Sequence, residues 1–414
     1  MPKKSGILLA VDVGSSSIKA SLVQESGEIR ASCRVPLSVK VNDDQAEMHV
    51  MDIWSSVVRS VQQLTQGEDV NRIKGIGITS QMAGLILLDD ANQPLRPAIL
   101  GVDQRGHVFV HELEKELGNK QIYERTGCPL IGIYPASKIL WIYAHQPNLM
   151  QKARYVVGIK EFLLWKMTGK WCTDPATATT TQMYDQTTGK WWTEMLHVLG
   201  LSPDQLPQVK PPDELVGGVL PETAQALGLK AGTPVVVGTG DGPAANLSTG
   251  ATTDRELCLS LGTTAVTRFF THTRYDIEEN QHYFCQKFNE GSYLQGYRLD
   301  GAGMMINRYL HGNGKHSLSA VLDDIARQLY DSMHPFLSER HFRNIRPIGG
   351  GSSNEMWMQG FADLFKLPVI LTHAKDSTLG AAVLIATALN IYGSIEQAGE
   401  EMVRIERVFN PRTC

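Results

Sequence analysis

The chain opens on an unbroken apolar run, ILLAV (Ile7–Val11), which a lone acid, Asp12, and a turn of small hydroxylated residues bring to an end. A run of this length bounded by turn signals predicts a buried strand over Ile7–Asp12, a tight turn at Gly14–Ser16 and a second strand over Ser17–Gln24. Glu25-Ser26-Gly27 is a further turn signal, and Glu28–Arg34 reads as a third strand, so the N-terminus is a β-meander. Asp12 is the anomaly. A carboxylate at the end of a buried strand needs a partner, and the turn beside it has the makings of an anion site. Gly14 lets a ligand approach the backbone, and successive amides of a turn form a nest for an anion. Ser15, Ser16 and Ser17 add neutral donors, and Lys19 adds a positive charge. An acid next to such a nest is placed to hold Mg²⁺, directly or through water. A plain polar hairpin with a solvated lysine accounts for the same residues, because short Gly/Ser turns are common.

The pattern recurs, and the recurrence favours the first reading. LCLSLGTTAVTRFF (Leu257–Phe270) again sets an apolar strand before a glycine, Gly262, then two hydroxyls, Thr263 and Thr264, then an outgoing strand. The two glycines lie 248 residues apart, so the repeated unit is a domain and not a solenoid module. Two such hairpins, one per domain, would clamp a polyphosphate from both sides. The Walker loop GxxxxGK[ST] is absent, and GTGDG (Gly238–Gly242) lacks the last glycine of the dinucleotide motif, so neither a P-loop nor a Rossmann site is expected.

Composition narrows the partners. A length of 414 residues predicts two or three domains, and 42% hydrophobic with 20% charged residues is ordinary for a globular protein. A net charge of −4 argues against nucleic acid or an anionic membrane as partner. The six cysteines are scattered without a CxxC pair, which reads as reduced thiols. The apolar start ends too soon for a signal peptide, and no run approaches the ~20 residues of a membrane span, so a cytoplasmic location is expected.

Paired glycine-hydroxyl hairpins a domain apart resemble those of the actin, Hsp70 and sugar-kinase ATPases, and further segments narrow the resemblance to the FGGY carbohydrate kinases. Gly75–Arg105 is similar to their sugar-site segment, Lys160–Asp185 to their Lys-acid-aromatic and Thr-Asp run, and Val235–Gly250 to the segment carrying the catalytic acid. Ile345–Val369 resembles the adenosine motif and Leu379–Leu389 the helix after it. The resemblance implies an α/β fold of two actin-like (ribonuclease H-like) domains, 1–248 for sugar and 249–414 for nucleotide, with a cleft between them. It implies ATP and Mg²⁺ as cofactors, a small sugar, polyol or sugar acid as substrate, and a possible homodimer.

Site residues follow position by position. The family's general base falls on Asp241, where flanking glycines leave room for a hydroxyl to approach. Gln81, Met82 and Ala83 match the substrate-contacting stretch, and Asp103 and Arg105 match an Asp-x-Arg pair that contacts or orders the sugar. Gly350, Gly351 and Asn354 match the lining of adenine and ribose. The small residues Gly380-Ala381-Ala382 read as tight helix packing. Ala83 and Gly101 stand where xylulokinase-like members usually carry His and Trp, which implies a roomier pocket. The segments around Asp241 and Gly262 look closer to gluconokinase-like members, so Arg268 is a candidate for a substrate carboxylate. The chain is shorter than its family pattern after Asp300–Leu310, where a wall of the second domain is expected to be reduced. An impaired kinase that binds sugar or nucleotide as a sensor or scaffold is the alternative.

Overall fold

The computed structural model describes residues 6–262, 264–275, 282–302, 318–337 and 341–412; Thr263 and, after Asp300, residues 303–317 and 338–340 lie outside the described residues. The predicted meander forms as β1 (Ile7–Val13), β2 (Ser17–Gln24) and β3 (Ile29–Pro36), paired antiparallel in sequence order. Next to β1 lies β4 (Ile73–Ser80), parallel, and next to β4 lies β5 (Pro234–Val236), also parallel.

The same five-strand topology is built a second time. Strands β6 (Glu256–Leu261) and β7 (Ala265–Thr271) form the hairpin, with β8 (Tyr283–Asn289) and β9 (Ser292–Leu299) continuing it antiparallel from β7. On the other side of β6, β10 (Asn344–Ile348) and β11 (Val369–Thr372) run parallel. Each sheet ends in one antiparallel edge strand, Leu215–Gly218 on the first and Ile405–Phe409 on the second.

Every residue of β1 is buried because helices cover both faces. Ile7, Leu9, Val11 and Val13 point towards α1 (Val50–Thr65), whose Val50, Ile53, Val57, Val61 and Leu64 recur at helical spacing and share their core. Leu8 and Ala10 point the other way, into a second core. A strand alternates its side chains, so Asp12 falls on the face of Leu8 and Ala10. The same arithmetic holds in β6. Leu257, Leu259 and Leu261 pack in the outer core of the second sheet, while Cys258 and Ser260 face inwards.

Two helices fill the space between the sheets: α3 (Asp241–Thr249) and α6 (Thr378–Ala388). The second comes from the far end of the chain, yet it packs on β1, β2, β4 and β5 and completes the inner face of the first sheet. Its small residues serve packing, as expected. A Cβ on Gly380 would stand 2.1 Å from the carbonyl oxygen of Ala244 in α3, so no other residue permits this crossing without displacement. The outer face of the second sheet is covered by α4 (Leu318–Leu337) and α5 (Glu355–Phe365). In α4, Leu322, Ile325, Leu329, Met333 and Phe336 bury a continuous stripe against Phe269 and Phe361. The short connection therefore still supplies a core-forming helix. Among the described residues no helix is long and apolar enough to cross a membrane.

Candidate active site

Between the two sheets lies a cleft of ≈ 1680 Å³, counted to its open mouth, and both glycine-hydroxyl hairpins line it. Each turn is closed by one backbone bond: the Gly14 amide donates to the Ser17 carbonyl at 3.0 Å, and the Gly262 amide to the Thr264 carbonyl at 3.2 Å. Gly14, Ser15, Ser16, Ser17 and Lys19 form one wall, with Gly262 and Thr264 on the wall from the other sheet. Thr263 lies outside the described residues.

Asp12, carried to the cleft by the β1 alternation, is 3% exposed. Its Oδ1 accepts from Thr79 Oγ1 at 3.1 Å, and its Oδ2 is 3.3 Å from Lys19 Nζ, the residue opposite it in the β1–β2 register. Burial pushes the Asp12 carboxyl up to about 6, with Lys19 opposing and the charges of Asp241 and Asp376 reinforcing the rise. Negative charge is thus under-compensated at this spot, and a cation fits it. Among the described residues no cluster of three or more His, Cys, Asp or Glu has the spacing of a metal cage. A hard cation here would take one carboxylate and complete its shell with water and phosphate oxygens, the habit of Mg²⁺.

Asp241 is the first residue of α3 and lines the same cleft. Its carbonyl oxygen accepts from Ser377 Oγ at 3.2 Å, which ties it to the start of α6. Burial raises the Asp241 carboxyl above its ordinary range; Arg268 and the Gly242 amide oppose the rise. Arg268 on β7 is itself buried, held by Asn246 Oδ1 at 3.0 Å from its Nε and by Ser260 Oγ, and it forms no ion pair among the described residues. Its guanidinium lies against Gly242. Arg268 is therefore part of the cleft and not a solvated surface residue.

Gln81, Met82 and Ala83 line the cleft with Gly101, Val102 and Tyr134. Gln81 bridges two walls: its Nε2 donates to the Gly14 carbonyl at 3.2 Å, and its Oε1 accepts from the Gly101 amide at 3.3 Å.

Two groups of the expected site residues lie outside the lining of this cleft. Asp103 and Arg105 do not touch the cleft. They are 0% and 1% exposed and form a bidentate ion pair, Nε to Oδ1 at 2.9 Å and Nη2 to Oδ2 at 2.8 Å. Arg105 also reaches Glu47 at 2.6 Å and stacks over Trp141 at 4.7 Å, while Asp103 accepts from the Ala46 amide at 2.6 Å. The pair braces the segment that leads to Gly101; its bonds run to one another and to the protein, and Arg105 Nη1 is left buried without a hydrogen-bond partner among the described residues. In the glycine loop, Gly349 reaches the cleft wall, but Gly350, Gly351 and Asn354 do not. A Cβ on Gly351 would sit 2.7 Å from both Leu261 and Trp357, and Asn354 caps α5 by accepting the Trp357 amide at 3.1 Å. Close packing and helix capping explain these two residues, whereas Gly350 faces open space.

The cleft also contains residues that the sequence did not single out: Arg298, Lys375, Asp376 and Ser377. The stretch KDST before α6 carries the polar signature of a helix start, and Asp376 indeed accepts from the Thr378 amide at 3.0 Å. Nothing in one sequence distinguishes such a cap from a cleft wall.

Two copies of one sheet topology, closed around a cleft that presents a hydroxylated turn from each, define a two-domain actin-like ATPase fold. Residues 7–248 match the FGGY family of carbohydrate kinases, N-terminal domain, and the chain belongs to that family. It is a carbohydrate kinase, an enzyme that transfers a phosphoryl group to an alcohol. Similar curated proteins include the gluconokinase of Bacillus subtilis, 28% identical over 445 residues covering 91% of this chain and 86% of that protein. The xylulose kinase of Escherichia coli is 30% identical over 444 residues, covering 92% and 90%. Both alignments are longer than this chain, so these relatives carry internal residues that it lacks. The crystal structure of gluconate kinase from Lactobacillus acidophilus superposes with a TM-score of 0.92 at 22% identity, covering 99% of this chain and 94% of that one.

Proposed function

We propose that the chain catalyses ATP-dependent phosphorylation of a hydroxyl on a small sugar acid, with Asp241 as general base. The observation that carries this reading is the placement of Asp241 in one cleft with both hairpins and with Arg268. In this reading residues 1–248 bind the acceptor, residues 249–414 bind the nucleotide, and the triphosphate lies between the Gly14 and Gly262 turns. Bound ATP·Mg²⁺ supplies the phosphoryl group and neutralises its charge, with Asp12 as the metal's protein anchor. The turn amides and hydroxyls orient the phosphates, and Lys19 adds a positive charge. Asp241, its carboxyl made more basic by burial, takes the hydroxyl proton as the oxygen attacks. Closure of the walls excludes water, the competing acceptor.

The acceptor end of the cleft favours an anion. Its first-domain wall is uncharged, made by Met82, Ala83, Gly101, Val102 and Tyr134. The opposing sheet brings two cations. Arg298 on β9 pairs in register with Val266, two residues before Arg268 on β7, so both arginines project from one face into the cleft. Arg298 is partly neutralised by Asp300 at 2.9 Å, while Arg268 has no carboxylate partner among the described residues. A carboxylate on the acceptor would complete that charge balance, in line with the gluconokinase relatives.

An ADP-release assay over a panel of ketoses, polyols and sugar acids tests the reading. Turnover with sugar acids is expected, and Asp241→Ala should lower it by roughly 10²–10⁴-fold while nucleotide affinity stays unchanged. Surviving turnover in that variant would overturn the assignment of the base. Thermal stabilisation by sugar with no phosphorylated product from the wild type would establish the sensor or scaffold reading instead.

A further inference from the structure

A lysine that touches neither cleft nor carboxylate stands behind the acceptor wall. Lys138, in the first turns of α2 (Pro135–His145), is 0% exposed. Its ammonium donates to the Ala83 carbonyl at 3.0 Å and to the Leu100 carbonyl at 2.8 Å. It forms no ion pair among the described residues; Asp103 and Arg105 are the charged groups whose fields reach it, and they are bonded to each other. Burial pushes Lys138 down to about 7. A buried cation held only by backbone carbonyls is an expensive way to fill space, and a methionine would fill it at lower cost.

What the two carbonyls share explains the arrangement. Ala83 belongs to the Met82–Ala83 wall, and Leu100 immediately precedes the Gly101–Val102 wall; all four of those residues line the acceptor end of the cleft. The first segment is strained and the second is tightly packed against it. Ala83 has φ +61°, the left-handed region that a residue with a Cβ avoids. Gly101 lies so close to the Met82 carbonyl that a Cβ would stand 2.2 Å from its oxygen. Gln81 then links this pair of segments to Gly14 of the phosphate turn.

We propose that Lys138 is a positioning residue for the acceptor: it clamps the Ala83 and Leu100 carbonyls together and so holds the strained Ala83 backbone in the shape that forms the acceptor wall. The claim builds on the proposed kinase reading, because the wall is functional only if an acceptor binds there.

Lys138→Met keeps an unbranched side chain only one atom shorter and removes the donors. Amide hydrogen exchange should accelerate in residues 81–84 and 100–102 and stay unchanged at the Gly14 and Gly262 turns. This measurement needs no acceptor, so it separates failure of the clamp from failure to find a substrate. With gluconate, or whichever panel member is turned over, KM for the acceptor should rise about tenfold or more, with KM for ATP and kcat within about threefold. Adding Ala83→Gly gives the segment a residue at home at positive φ, and it should recover several-fold of the loss, whereas a merely structural lysine would show additive effects. Unchanged exchange in 81–84 and 100–102 would overturn the proposal. So would faster exchange with an unaltered acceptor KM, or an equal rise in KM for acceptor and ATP.

Discussion

Asp12, the proposed anchor of the metal, shows how a residue suited to a ligand burdens the protein without it. Its folded carboxyl titrates near 6, above its ordinary 3.8, so between these values the folded state holds more protons than the unfolded one. Stability from this group is therefore present at low pH and lost as pH rises through about 6. Asp12→Asn should stabilise the ligand-free protein by roughly 1–3 kcal/mol at pH 7, and the gain should vanish near pH 4. Paired denaturant titrations at the two pH values measure it. The same variant should lose at least about 100-fold in Mg²⁺-dependent turnover, since under the proposed function the stabilising change removes the metal's anchor. A variant that is both more stable and fully active would refute the role of Asp12. The anomaly itself was legible, because an acid ending a buried strand beside a Gly-Ser turn is chemically conspicuous. Asp103 and Arg105 were not, because an internal ion pair and a ligand-binding pair have the same spelling. Lys138 was invisible for a related reason: its partners are backbone carbonyls, and those carry no sequence signal.

At the level of elements, local physics is enough where a segment's conformation is set by its own residues. The meander strands fall within one or two residues of the turn signals that bound them, because strand and turn preferences agree there. The placement of α6 is another matter. Its apolar, small-residue pattern reads as packing, but that it should cover the sheet built by the opposite end of the chain depends on topology alone. In the proposed mechanism this contact also aims the base, since α3 begins at Asp241 and crosses α6 at Gly380, whose amide donates to Ser248 Oγ at 2.7 Å. Gly380→Val would drive a branched side chain into the Ala244 carbonyl. The expected cost is roughly 2–3 kcal/mol, the upper part of what overpacking usually exacts. Turnover should fall more than this stability loss explains, because the helix that separates from α6 carries Asp241. A lowered denaturant midpoint with normal kcat would show that the crossing does not position the base.

For the molecule as a whole, the contacts between the two domains include the α3–α6 crossing and a seam beside the cleft. There β8 of the second sheet reaches the first domain. The Cys285 amide donates to the Gly127 carbonyl at 2.7 Å, Lys287 Nζ donates to the Gln186 carbonyl at 3.2 Å, and Arg274 Nη2 donates to the Tyr123 carbonyl at 2.7 Å. All three acceptors are backbone carbonyls, so the seam depends on the path of the chain more than on which side chains lie there. Gly127 is the tightest point: a Cβ would stand 1.9 Å from the Cys285 carbonyl oxygen, at φ +64°. Two variants separate its two demands. Asparagine tolerates the left-handed backbone and retains the clash, whereas alanine has the clash with added strain. If the seam closes the cleft, Gly127→Asn and Gly127→Ala should lower kcat alike, by about tenfold, because closure excludes water and aligns the acceptor. Both should also raise the ratio of ATP hydrolysis to acceptor phosphorylation, and solution scattering with nucleotide and acceptor bound should give a larger radius of gyration than for the wild type. Near-normal turnover in Gly127→Asn with loss confined to Gly127→Ala would mean that backbone strain, and not contact between the domains, is what the glycine avoids.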